Sequence, residues 1–135
     1  MANLIPWSDD YAIGVDEVDQ QHKYLFDLIN EVLQSNEDEK LKSSLLKLYR
    51  YTREHFRAEE ALMERAGYPQ YEQHKEMHNL LILKLNDSST ETMNNPSRRD
   101  ALDEFLTSWL VKHILEKDMD IGRFMQENKS ASERV

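Results

Sequence analysis

The sequence predicts an all-α fold, an antiparallel up-down-up-down four-helix bundle preceded by an extended N-terminal arm. Three observations carry that expectation. Only three Gly and three Pro interrupt a chain that is 39% hydrophobic, and a β-sandwich of this size needs many more turns. Apolar residues recur at steps of three and four along four segments, the period of one helix face. Short polar connections join those segments, which makes consecutive helices antiparallel neighbours. The length suits one domain over residues 1–135, long enough to bury a real core.

The arm, about residues 1–15, mixes Pro6, Trp7 and Gly14 without helical period, and Trp7 and Tyr11 are its packing anchors. Asp16 to Asp19 supply acidic capping chemistry for a first helix over about 16–35, whose positive dipole end they face. Val18, His22, Leu25, Ile29 and Val32 form its stripe. A second helix, about 38–66, carries Leu41, Leu45, Leu48, Thr52, His55, Glu59, Leu62 and Ala66. Gly67 fits the position just past its end, and Pro69 fits the first turn of a third helix over about 69–86. Tyr71, His74, His78, Leu81 and Leu85 make the third stripe, and Asn86 to Asn95 reads as a polar loop. Asn95-Pro96 caps and opens a fourth helix over about 96–127, followed by a frayed tail at 128–135.

Composition excludes several classes of function. A net charge of −9 repels phosphates, so no nucleic-acid groove is expected. The chain has no Cys, hence no disulfide, thiolate metal site or cysteine nucleophile. Residues 1–10 lack the basic and apolar regions of a signal peptide. No apolar run approaches the roughly 20 residues of a membrane span. The expectation is a soluble, cytoplasmic protein.

The informative feature is a conflict inside the apolar stripes. His22 interrupts the first, His55 and Glu59 the second, His74 and His78 the third, and His113 and Asp118 the fourth. Burying an ionised carboxylate without a partner costs several kcal/mol, so four helices that accept this need a cation among them. His55 and Glu59 are four residues apart, as are His74 and His78, about 40° around each helix. His113 and Asp118 are five apart, about 140° on an ideal helix. Either side-chain length or a local distortion has to close that gap.

Five His and two carboxylates are too many ligands for one tetrahedral or octahedral ion. Two ions bridged by the carboxylates account for all seven, and the donor set suits iron, manganese or zinc. Taken singly, each residue has a blander reading. A lone His on an apolar face is usually a core histidine, and Phe56 and Trp109 read as core. Glu60, Glu64, Glu116 and Asp120 read as solvated helix-edge charges. The conjunction of every His in the chain on an inward face outweighs those readings.

Asp19-Gln20-Gln21-His22, His55-Phe56-Arg57-Ala58-Glu59, Tyr68-Pro69, His74-Lys75-Glu76-Met77-His78 and the stretch from Trp109 through His113 to Asp118 resemble the hemerythrin family, in particular its single-domain bacterial members, the bacteriohemerythrins. The resemblance runs from about Trp7 to Phe124. It implies a non-haem di-iron site that binds dioxygen reversibly for storage, delivery or sensing. One iron falls to His74, His78 and His113 and the other to His22 and His55. Glu59, Asp118 and an oxide or hydroxide are implied as bridges, leaving one position of the second iron open. Leu25, Phe56, Trp109, Leu110 and Ile114 match family positions that line the oxygen pocket. One departure is Ile121, where many members carry Tyr three residues after the bridging Asp.

No enzymatic activity is expected, since every His is used as a ligand. The competing readings are a di-iron enzyme acting on peroxide or nitric oxide, and an iron-storage or zinc-stabilised module. Ferritin-like di-iron enzymes carry Glu-x-x-His on two helices, and this chain has no such motif. Its His-Lys-Glu-Met-His differs from the zinc-protease His-Glu-x-x-His, because Glu76 lies about 200° from His74 and faces away.

Overall fold

The apolar period of each segment becomes the buried face of a helix. The computed structural model describes residue 5 and residues 7–133, excepting the side chains of residues 110 and 128–133. α1 (Asp16–Gln34) buries Val18, His22, Leu25, Ile29 and Val32. α2 (Asp38–Ala66) buries Leu41, Leu45, Leu48, Thr52, His55 and Glu59, with Met63 rather than Leu62 facing inward at its far end. α3 (Tyr71–Asn94) buries His74, His78, Leu81 and Leu85. The fourth rod runs without a break through α4 (Arg99–Phe105), a π-helical turn (Leu106–Leu110) and α5 (Val111–Glu133). Consecutive rods pack side by side, α1 on α2, α2 on α3, and α3 on α4. No strand occurs among the described residues, and no described helix is long and apolar enough to cross a membrane.

The turn chemistry after α2 and after α3 uses Gly67 and Asn95 as the sequence suggests. Gly67 adopts φ 68° just past α2, where its N–H bonds back to the Glu64 carbonyl, the left-handed cap that only Gly takes without strain. Asn95 accepts the Ser97 N–H and Pro96 opens a 3-10 turn (Pro96–Arg98) that leads into α4. The polar stretch from Asn86 to Asn94 is helical rather than a loop. Its hydroxyls bond within the helix, Ser89 to the Leu85 carbonyl at 2.6 Å and Thr92 to Ser88 at 2.8 Å, so α3 keeps its period. α3 also begins two residues after Pro69. The tail expected to fray is helical to Glu133, since no Gly or Pro after Gly122 stops the helix; residues 134 and 135 lie outside the description.

Two apolar clusters plug the bundle. The larger contains Leu25, Ile29, Leu48, Phe56, Leu85 and Ile114, and the smaller contains Met63, Tyr68 and Ile121. Along α2, α3 and α5 the predicted ligands fall between these clusters. Arg99 locks the end with the larger cluster, donating to the carbonyls of Val32 and Ser35 at 2.6 and 2.7 Å and pairing with Asp103. These bonds give the Ser35 carbonyl a donor and add a second one to the Val32 carbonyl, which already accepts the Ser35 N–H.

The arm is seated as its aromatic residues suggest. Trp7 meets Phe26 and Tyr11 edge-on, and Asn30 exchanges two hydrogen bonds with the backbone of Ile5. Asp19 takes the N–H groups of Ile13 and Gly14. On the other side, Gly122 of α5 leaves room for the Ile13 carbonyl, which a Cβ there would strike. Gly in a helix interior ordinarily costs about 1 kcal/mol relative to Ala, so the close approach explains its presence. Gly122→Ala is expected to destabilise the protein by roughly 1–3 kcal/mol despite the better helix propensity. Urea denaturation checks this, and a stabilised variant would mean that the arm is not held against α5.

Candidate metal centre

Four rods contribute to one buried polar layer. α1 brings His22, α2 His55 and Glu59, α3 His74 and His78, and α5 His113 and Asp118, all buried. Each carboxylate divides its oxygens between two groups of imidazoles. Glu59 Oε1 lies 3.0 Å from His74 Nε2 and 3.1 Å from His78 Nε2, while its Oε2 lies 3.2 Å from His55 Nε2 and 3.7 Å from His22 Nε2. Asp118 Oδ1 lies 3.1 Å from His74 Nε2 and 3.3 Å from His113 Nε2, while its Oδ2 is 2.9 Å from His22 Nε2. The donor atoms thus form two compact sets, Glu59, His74, His78, His113 and Asp118, and His22, His55, Glu59 and Asp118. Both carboxylates belong to both sets.

Regular α-helix runs from Val111 through Asp118, so side-chain reach closes the five-residue gap to His113. Cβ vectors lean toward the helix N-terminus, which carries the Asp118 carboxylate back toward the level of His113.

The layer is electrostatically tense. Burial pulls His22 down, but Asp118 and Glu59 outweigh it and hold its pKa up at about 9. His74 is raised to about 9 by the same balance, and His78 is raised by Glu59 and Glu60 against burial. Burial pushes Glu59 up, yet the four imidazoles around it keep it well below the usual carboxylate range. Asp118, opposed by burial and by Glu59, is held low by His113, His22 and His74. Without a metal, protons serve as the cations of this cluster.

Protons do not satisfy it geometrically. Glu59 Oε2, both oxygens of Asp118, and Nε2 of His78 and His113 are buried without a hydrogen-bond partner, although neighbouring donor atoms lie about 3 Å away. The Nε2 atoms of His22 and His55 are 3.1 Å apart. Such atoms converge on the space between them, which is what coordination requires. Imidazole nitrogen with carboxylate oxygen fits iron, manganese or zinc.

Three residues missed from the sequence orient the imidazoles from outside. His55 Nδ1–H donates to Gln21 Oε1 at 2.6 Å, His78 Nδ1–H to Glu60 Oε2 at 2.9 Å, and His113 Nδ1–H to the Met77 sulfur at 3.2 Å. Bonds of this kind turn Nε2 of each ring inward. Glu60 is therefore not a solvated edge charge; its side chain is only 17% exposed. Glu64, Glu116 and Asp120 are exposed as expected. Adjacency to the ligands, Gln21 before His22, Glu60 after Glu59 and Met77 before His78, was the one signal available.

Of the residues matched to the oxygen pocket, Leu25, Phe56 and Ile114 are buried in the larger apolar cluster beside the polar layer. The Phe56 ring stacks on His78 with centroids 3.8 Å apart and meets His113 edge-on. Trp109 is not in that pocket. It is 52% exposed and lines an open groove between α3 and α5, because its flank of the helix turns toward solvent. The Leu110 side chain lies outside the description. Ile121 is buried in the smaller cluster.

Fold and site together define a helical-bundle cation-binding domain. Residues 13–124 match the hemerythrin HHE cation binding domain; the chain belongs to the hemerythrin family. It is similar to the bacteriohemerythrin of Pseudomonas aeruginosa, 34% identical over 100% of this chain and 88% of that protein. A hemerythrin-like protein of Naegleria fowleri is 32% identical over 88% of this chain and 95% of its own length. The crystal structure of wild-type hemerythrin superposes with a TM-score of 0.77 at 26% identity, over 90% of this chain and 97% of that one.

Two predictions follow from the electrostatics. His22 and His74 stand above their ordinary 6.5, so the stability they contribute is complete below pH 6.5 and lost as pH rises through about 9. Glu59 and Asp118 stand below their ordinary 4.5 and 3.8, so theirs is complete above that range and lost in acid. Metal-free protein is expected to resist urea better at about pH 6 than at about pH 9.5, and equal midpoints would remove the proton-for-metal account. Glu60→Gln is expected to lower metal affinity about 10–100-fold in competition with a chromophoric chelator. Glu64→Gln, on the exposed side of α2, is the control, and an equal loss in both would deny Glu60 its orienting role.

Proposed function

We propose that this chain holds two iron ions between Glu59 and Asp118 and binds dioxygen reversibly there, as a store, carrier or sensor. The observation that carries this reading is the division of both carboxylates between two unequal imidazole sets, three on one side and two on the other. Membership of the hemerythrin family supports it. A di-iron centre held by these seven residues would supply the electrons that reversible dioxygen binding needs.

The chain's own residues do the rest. His74, His78 and His113 hold one side, and His22 and His55 the other, with one imidazole fewer. Leu25, Phe56 and Ile114 wall the layer on the side of the larger cluster and exclude water, which protects reduced metal from proton-assisted oxidation. The reading is non-enzymatic. All five His are drawn into the cluster and the chain has no Cys, so no separate imidazole or thiol is left for general acid–base or nucleophilic work.

The test is the optical spectrum of anaerobically reduced, iron-loaded protein, recorded before air, after air and after argon purging. Two irons per chain and visible charge-transfer bands that appear with air and fade under argon are expected. Bands that form and never reverse would overturn reversible binding and favour an enzyme acting on peroxide or nitric oxide. Zinc in place of iron, with no bands, would overturn the oxygen chemistry and leave a structural metal site.

A further inference from the structure

A groove between α3 and α5 opens to solvent beside the metal cluster, with Leu81, Met77 and His113 among its lining residues. Its volume is about 590 Å³, within the range of small-molecule sites. Met77, Leu80, Leu81 and Trp109 give it an apolar floor. Leu80 and Trp109 are 50% and 52% exposed, and both face this one groove.

The charge around that floor is opposite to the charge of the molecule. Lys84, Lys112 and Lys117 line the groove against one acid, Glu116, on a chain of net charge −9. Among the described residues none of the three ammonium groups is paired with a carboxylate. Lys84 is instead held 4.3 Å from the centre of the Trp109 ring, which positions its charge without neutralising it.

We propose that this groove binds a small amphipathic anion, a single acidic head on an apolar body of about ten carbons. The apolar floor takes the body, and the lysines take the head. A free inorganic anion gains nothing from the floor, and a neutral or cationic amphiphile gains nothing from the lysines. The bound molecule lies against Met77 and His113, which both line the groove. The site nevertheless stands independently of what the metal centre binds.

Isothermal titration of the metal-loaded protein with decanoate tests it. One molecule per chain is expected, with a Kd of roughly 10–100 μM. Decanol, decyltrimethylammonium and inorganic phosphate are each expected to bind at least about tenfold more weakly. Joint Lys84→Glu and Lys112→Glu substitution is expected to weaken decanoate at least about tenfold, with helix content unchanged by circular dichroism. Lys47→Glu, a charge reversal on α2 away from the groove, is expected to leave it unchanged. No decanoate binding, equal binding of decanol or the cation, or an unchanged Kd in the double variant would each overturn the proposal. Trp109→Ala alone gives a second reading that does not depend on charge reversal: retained affinity would remove the floor from the site.

Discussion

Two carboxylates buried together, Glu59 and Asp118, are the constraint on which the rest of the structure depends. Neither has enough hydrogen-bond donors aimed at it, and Glu59 opposes the ionisation of Asp118. Such a pair persists in a core only if positive charge is delivered between the helices. Five imidazoles from four rods surround it, so the rods must hold their relative heights within the tolerance of a coordination shell. The two apolar clusters supply that rigidity, one on each side of the layer. Arg99 and the seated arm tie down the rods near the two ends.

The partners outside the imidazoles are graded. His55 leans on a neutral amide, His78 on a carboxylate and His113 on a thioether. A carboxylate acceptor makes its imidazole the stronger donor to a metal, and a thioether adds little. The set containing three imidazoles therefore contains both extremes, and His78, stacked on Phe56, is its most firmly held member. The unequal sets thus differ in more than ligand number.

His22, His55, Glu59, His74 and His78 were legible in the sequence because helical period and burial conflict only where something compensates the cost, whereas the five-residue step from His113 to Asp118 departs from that period and was read through the family resemblance. His and carboxylate in an apolar seam are visible without any three-dimensional knowledge. The same reasoning misread Asn86 to Asn94, where Ser and Thr satisfied themselves on the helix instead of breaking it. It also misread Glu60. A residue 100° from the seam looks solvated on its own helix, and only the approach of α3 shows that His78 reaches it. Met77 was illegible for the same reason, since its partner His113 lies on another rod.

The fourth rod shows how one local irregularity organises site and surface together. Leu102, Phe105 and Leu106 are buried, and an uninterrupted helix would continue that face through Trp109 and His113, leaving Asp118 about 140° away. The π turn, closed by the Val111 N–H on the Leu106 carbonyl, accommodates one extra residue and shifts the downstream face by about 100°. Val111, Ile114, Asp118 and Ile121 then take up the inward face, and His113 moves to the flank toward α3, where it meets Met77, His74 and His78. Asp118 can therefore link both imidazole sets while His113 completes the larger one. The same flank carries Trp109 out to the groove beside Lys84, so the exposed ring is a consequence of the geometry that assembles the metal centre.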